Sequence, residues 1–143
     1  LNANVKVRDL VIAQAACTDS TIVKDAFGVY AFAPIADFGL LRAAVDGAAA
    51  KSMRAHVGNM LSSDIFYHEE WLKTYERLIK HGVIGVEMEA AALYTLAARH
   101  GVRAVAICTM TDCLITMEEI SAEDRQSSLK DMVTLALDVA VGA

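Results

Sequence analysis

Four polar clusters in this chain stand directly after apolar runs of strand length: Cys17-Thr18-Asp19-Ser20, Ser62-Ser63-Asp64-Ile65-Phe66-Tyr67, Glu87-Met88-Glu89 and Thr109-Met110-Thr111-Asp112. Each cluster alone also reads as an ordinary turn or helix cap. Asp112 is flanked by Met110, Cys113, Leu114 and Ile115. A carboxyl in apolar surroundings resists ionisation, because desolvation disfavours the anion, and so keeps a proton to donate near neutral pH. The alternative is an Asp that caps a turn. Arg125 falls in the first turn of the last expected helix, where the helix dipole opposes a positive charge. An acidic neighbour, Asp112 or Asp124, would justify it there; a solvated surface Arg is the alternative. Glu87 and Glu89 stand two apart at a strand-to-helix junction. Extended backbone puts them on one face, helical backbone on nearly opposite sides. Ringed by Val86, Met88 and Ala90, they suit acceptors of ligand hydroxyls, or else one is buried and paired and the other lies on the surface. Phe66 and Tyr67 offer ring faces for a flat heterocycle, or pack under the following helix. No His stands at ligand spacing from these acids, so no metal site is expected, and His56, His68, His81 and His100 read as surface or capping residues.

The elements that must position these groups alternate in period. Residues 10–16, 55–61, 83–86 and 103–109 are mostly apolar runs that do not alternate strictly with polar residues, the pattern of strands buried on both faces. Between them, residues 35–52, 69–81 and 90–100 carry apolar side chains at helical spacing, with Asp37 as a cap and Gly82 and Gly101 as stops. A last helix runs from Ser121 to about Val141, with Asp124 three residues after Ser121 as in a capping box. Residues 21–34 read as an irregular loop containing the single Pro34. The order βαβαβαβα implies an α/β fold, a mostly parallel or mixed sheet with helices on both faces. Ligands are expected at the carboxyl ends of its strands. No repeat or linker interrupts residues 1–143, which read as one domain. The glycines form neither a dinucleotide fingerprint nor a P-loop.

Composition narrows the classes. At 143 residues with 55% hydrophobic content, the chain is neither disordered nor low in complexity. The surplus apolar surface suits contact with another subunit or with a further part of the chain. No apolar run reaches the roughly 18 residues of a membrane span. Thirteen Lys and Arg against eighteen Asp and Glu give a net charge of -5, which argues against a nucleic-acid surface. Three cysteines without a C-x-x-C, and an opening without a leader pattern, point to a reducing cytoplasm.

Taken together, the clusters resemble the bacterial, hexamer-forming purine nucleoside phosphorylases. The resemblance is carried by Val7-Arg8-Asp9-Leu10-Val11-Ile12 with Ala16-Cys17-Thr18-Asp19-Ser20, by Phe32-Ala33-Pro34-Ile35-Ala36-Asp37-Phe38, by Val57-Gly58-Asn59 and by Ser63-Asp64-Ile65-Phe66-Tyr67. Its strongest parts are Gly85-Val86-Glu87-Met88-Glu89-Ala90-Ala91, then Ile107-Cys108-Thr109-x-x-Asp112 and Glu123-x-Arg125-Gln126. The resemblance implies a three-layer nucleoside phosphorylase-like fold, of which this chain would be the C-terminal portion. It implies reversible phosphorolysis of a purine nucleoside to free base and ribose 1-phosphate. Asp112 would protonate or hydrogen-bond purine N7, and Arg125 would move towards it as the last helix closes. Glu89 and Met88 would contact the ribose, Glu87 and Val86 would line the nucleoside pocket, Phe66 would pack against the base and Thr111 would join the substrate-binding set. No cofactor is implied beyond phosphate as co-substrate, and the partners would be copies of the same chain in a homo-oligomer, a hexamer. The family's Gly-Asp-Pro phosphate loop, its phosphate-binding arginines and the His and Arg lent across its interface would all precede Leu1. Within the chain, Val23-Lys24 replaces the family's Asn-Arg, and Cys113-Leu114-Ile115 its His-x-Arg. A hydrolytic nucleosidase, a uridine phosphorylase, and a non-catalytic nucleoside-binding or assembly subunit are the alternatives.

Overall fold

The computed structural model describes residues 1–142, apart from the side chains of Ala122, Gln126, Ser127 and Ser128. The first strand, β1 (Leu10–Thr18), is the spine. Its alternating side chains serve both faces: Leu10 and Ile12 pack with Ala44, Ala48, Leu135 and Val139, whereas Val11 and Ala13 pack with Ala90, Ala91 and Tyr94. Helices on both faces follow from this alternation.

Residues 21–34, expected as a loop, begin with a helix, α1 (Thr21–Phe27). Ser20 caps it by accepting a hydrogen bond from the Ile22 N–H, and Gly28, at φ 61°, ends it. The next helix, α2 (Phe38–Ala50), starts three residues later than its apolar stripe suggests. Ile35 instead bridges to Ala15 beside β1, and the Asp37 carboxylate caps the helix by accepting from the Leu40 N–H at 2.9 Å. The small face of α2, with Ala44, Ala48 and Gly47, lets the last helix come close: a Cβ on Gly47 would lie 3.0 Å from Leu135 Cδ1.

β2 (Ala55–Ser62), α3 (Trp71–Lys80), β3 (Val83–Glu87) and α4 (Ala90–His100) follow at nearly their expected bounds. Gly101, left-handed at φ 64°, closes α4, and the Val102 N–H returns to the Ala97 carbonyl. β4 (Ala106–Thr109) is shorter than the apolar run 103–109. The four strands order as β3-β2-β1-β4, with β1–β2 and β2–β3 parallel and β1–β4 antiparallel. The sheet is therefore mixed, and its direction matters for the site. Thr18 and Ser62 pair at one end of β1, whereas Thr109 pairs with Leu10 at the other. A single row of strand carboxyl ends does not account for the clusters. A hairpin absent from the sequence reading, β5 (Asp112–Cys113) against β6 (Glu118–Glu119), follows β4. The 21-residue helix α5 (Ala122–Gly142) ends the chain, its Leu135 and Val139 buried under β1 and α2.

Candidate active site

The ends of β2 and β3, with the segment that follows β2, build one wall of a cleft of ≈ 610 Å³, and the end of β1 braces that wall from outside the lining. At the end of β1, the Asp19 carboxylate accepts from Ser63 Oγ at 2.7 Å and from the Asp64 N–H at 2.8 Å. Ser63 is buried, and its Oγ also accepts from the Ile65 N–H. This clamp fixes the start of the segment that carries Phe66 and Tyr67. Their rings meet edge to face at 4.8 Å and stand 71% and 88% exposed, so they do not pack under α3. Further along, His68 meets Tyr75 edge to face at 5.3 Å, and its Nε2 is buried with no hydrogen-bond partner among the described residues.

At the end of β3, the Glu87 carboxylate is heavily engaged. One oxygen accepts from Ser62 Oγ, and the other from the N–H groups of Glu89 at 2.8 Å and Ala90 at 2.7 Å. Ser62 Oγ in turn accepts from the Ala91 N–H at 2.8 Å. Met88 and Glu89 lie exposed at the turn into α4.

The opposite wall is the hairpin and the first turn of α5. Asp112 Oδ1 accepts from Arg125 Nη2 at 3.0 Å, and its Oδ2 accepts from Thr111 Oγ1 at 2.6 Å. The expected apolar enclosure of Asp112 is not what forms: its side chain is 38% exposed and pairs with a guanidinium. The reason is the hairpin, which lifts Asp112 out of the strand run and faces it towards α5. Of the two acids proposed to justify Arg125, the structure pairs Asp112 with it, while Asp124 pairs with Arg8 at 2.9 Å. The Asp124 N–H donates to Ser121 Oγ, the forward half of the expected capping box.

Phe66, Val86, Glu87, Met88, Thr111, Asp112 and Arg125 all line this cleft, and Glu89 does not. Sequence reasoning missed His68, Trp71, Tyr75, Met117, Glu118 and Glu119 in its walls. The last three reach it only through the hairpin. A signal existed for His68, Trp71 and Tyr75, which continue the aromatic run after Tyr67. A second cavity of ≈ 240 Å³ shares Val86, Glu87, Thr111, Asp112 and Leu114 with the cleft and adds Met60 and Cys108. Burial, with the nearby Glu87 and Glu89 charges, pushes the Cys108 thiol up to about 11, so it stays protonated and inert. Among the described residues no group of His, Cys, Asp and Glu is placed to hold a metal ion.

A mixed sheet with helices on both faces, and a cleft walled by aromatic rings on one side and an Asp–Arg pair on the other, define the class. The phosphorylase superfamily model matches residues 1–142, and the chain belongs to that superfamily. Among curated proteins it is similar to the DeoD-type purine nucleoside phosphorylase of Listeria welshimeri, 50% identical over 141 residues, which are 99% of this chain and 60% of that protein. The DeoD-type enzymes of Jannaschia sp. (49% over 140 residues; 98% and 59%) and Bacillus cereus (43% over 141 residues; 99% and 60%) are similar over the same extent. The chain thus spans about 60% of the length of these relatives.

Proposed function

We propose that the cleft binds a purine nucleoside and that the protein containing it carries out phosphorolysis. The observation that carries this reading is the Asp112–Arg125 pair at 3.0 Å across a cleft from the exposed rings of Phe66 and Tyr67. In this reading the base lies against Phe66, and Asp112, once protonated, donates a hydrogen bond or proton to purine N7. The N9–C1′ bond breaks with its electron pair going to the base, and a phosphate oxygen bonds to C1′. An acid positioned at N7 stabilises the charge that develops on the leaving purine. The ribose becomes oxocarbenium-like, which nearby carboxylates favour; Glu89, outside the cleft lining but next to the lining residue Met88, turns in to accept the ribose hydroxyls. Arg125 holds Asp112 before substrate enters and pairs with it again as charge develops.

Phosphate needs cationic or backbone donors. Among the described lining residues Arg125 supplies the one guanidinium or ammonium group, and it is occupied by Asp112. In this reading the phosphate is held by residues outside this cleft wall, in a longer chain or in neighbouring copies of a homo-oligomer, a hexamer. No cofactor is needed, phosphate is the co-substrate, and the reaction belongs to the cytoplasm. No helix among the described residues is long and apolar enough to cross a membrane.

The test is release of hypoxanthine from inosine with and without phosphate. Phosphate-dependent release of ribose 1-phosphate supports the reading, and Asp112→Asn is expected to slow it by ~10²–10⁴. Equal release without phosphate would assign a hydrolytic nucleosidase, and inosine binding without turnover at high phosphate a non-catalytic subunit. An unimpaired Asp112→Asn variant would remove Asp112 from its role.

A further inference from the structure

Two glutamates flank Met88, but the structure uses them differently. The Glu87 carboxylate takes N–H groups from Glu89 and Ala90 and the hydroxyl of Ser62, while Ser62 Oγ takes the Ala91 N–H. Three successive N–H groups at the start of α4 are thereby satisfied by Glu87 and Ser62. Such groups have no partner inside the helix itself and must find one elsewhere. The residue in the N-cap position, Glu89, supplies no side-chain cap. A carboxylate has about four lone-pair sites, and Glu87 has committed three of them. Glu89 is exposed, and its carboxylate has no hydrogen bond among the described residues. The Ser63 N–H also donates to the Glu87 carbonyl at 2.9 Å, which ties the aromatic segment after β2 to the same point.

We infer that Glu87, although its carboxylate borders the cleft, is a positioning residue: a cap for the first turn of α4 built jointly with Ser62. This rests on the nucleoside reading for the ligand, but the capping part does not. Glu87 fixes the backbone that presents Met88 and Glu89. Glu87 lines both cavities, but three of its lone-pair sites face the cap, so its main effect on ligand affinity runs through that backbone. Ser62 lies outside the lining of both cavities, so its effect on a ligand can only be indirect.

The experiment compares Glu87→Ala, Glu87→Gln, Ser62→Ala and Glu89→Gln by amide hydrogen exchange and by inosine affinity. Glutamine keeps an oxygen for the two N–H groups, but its NH₂ donates where the carboxylate accepted, so the Ser62 hydroxyl gives up its present acceptor. The expected result is that Glu87→Ala and Ser62→Ala speed exchange at Glu89, Ala90 and Ala91 by about 2- to 30-fold, the range of a lost helix cap. Both should weaken inosine binding together with that change, while Glu87→Gln keeps exchange closer to the parent protein than Glu87→Ala does. Glu89→Gln should weaken inosine binding and leave exchange alone. Loss of inosine binding in Glu87→Gln with exchange unchanged would overturn the inference, since the charge would then act on the ligand directly. A silent Ser62→Ala in both readouts would overturn it too. If Glu87→Ala does not fold, Ser62→Ala and Glu87→Gln decide alone. If the parent protein does not bind inosine, the nucleoside reading fails, and exchange still decides the capping role.

Discussion

Tyr94→Phe removes a single hydroxyl that joins three elements of the scaffold behind the cleft. Tyr94 is 2% exposed on α4; its hydroxyl donates to the Ala13 carbonyl at 2.5 Å and accepts from the Ala106 N–H at 2.9 Å. Ala13 and Ala106 are register partners of β1 and β4, so the hydroxyl stands where a direct ladder bond would otherwise run. Phenylalanine leaves the buried Ala13 C=O and the half-buried Ala106 N–H unpaired, at up to about 1–3 kcal/mol for each. Part of this is offset because the phenyl ring is easier to desolvate than a phenol, which leaves an expected loss of about 2–4 kcal/mol. Urea unfolding followed by the single tryptophan, Trp71, reads it as a lower midpoint at unchanged slope. A loss below about 1 kcal/mol would refute the reasoning, because it would mean that the strands rejoin without the hydroxyl. The same residue gives a pH signature. Burial, aided by the nearby Cys108 and Glu87 and partly offset by the Ala106 N–H, pushes the phenol up to about 12 from 10.0. The folded protein therefore holds this proton longer than the unfolded chain does. The stability tied to the neutral phenol is complete below pH 10 and is lost as pH rises through about 12. In Tyr94→Phe that alkaline component should vanish.

Asp19→Ala frees Ser63 Oγ and the Asp64 N–H, so inosine affinity measured by Trp71 fluorescence should fall by about 5- to 30-fold, with Asp19→Asn recovering part of it through its remaining acceptor. Unchanged affinity in Asp19→Ala would separate the clamp from the aromatic segment. Gly58→Ala places a Cβ 2.6 Å from Ile84 Cδ1 and 2.9 Å from Ile84 Cγ1. Overpacking of that kind should lower the urea stability by about 1–3 kcal/mol; a neutral result would show that Ile84 swings aside at no cost.

Strand starts at Leu10, Ala55 and Val83 were legible because buried strands must be apolar on both faces. The bounds of α4 were legible too, since Gly101 supplies a left-handed stop that few other residues tolerate. Three things were not. The start of α2 was set by a tertiary bridge, Ala15 to Ile35, which no helical period reveals. α1 has no buried residue, so it leaves no apolar stripe; only the Ser20 cap and Gly28 mark it. The direction of β4 was hidden because an apolar run looks the same in either sense. For the site, residue types identified most of the lining and offered Asp112 as one of two acids for Arg125, but not which acid it would be nor the hairpin that presents it. The sequence placed Asp112 among apolar neighbours, and the hairpin turned it to Arg125. One paired and one surface glutamate was among the readings of Glu87 and Glu89, and the contacts with Ser62 and with the Glu89 and Ala90 N–H groups show that Glu87 is the paired one.

The central position of β1 also governs how the chain comes together. Leu10 pairs with Ala55 on one side and with Thr109 on the other, so no neighbouring strands of the main sheet are joined by a tight turn. Closing long loops costs chain entropy before any pairing compensates for it, and folds dominated by such contacts form slowly. The hairpin of Asp112–Cys113 and Glu118–Glu119 is the exception, since its ends are close in sequence. The wall bearing Asp112 can therefore take shape early, while the wall of Phe66 and Glu87 waits for the sheet. The two walls of the cleft thus rest on contacts of very different sequence separation, and a chain in which β1 lacked its neighbours would expose that strand's apolar side chains to other chains.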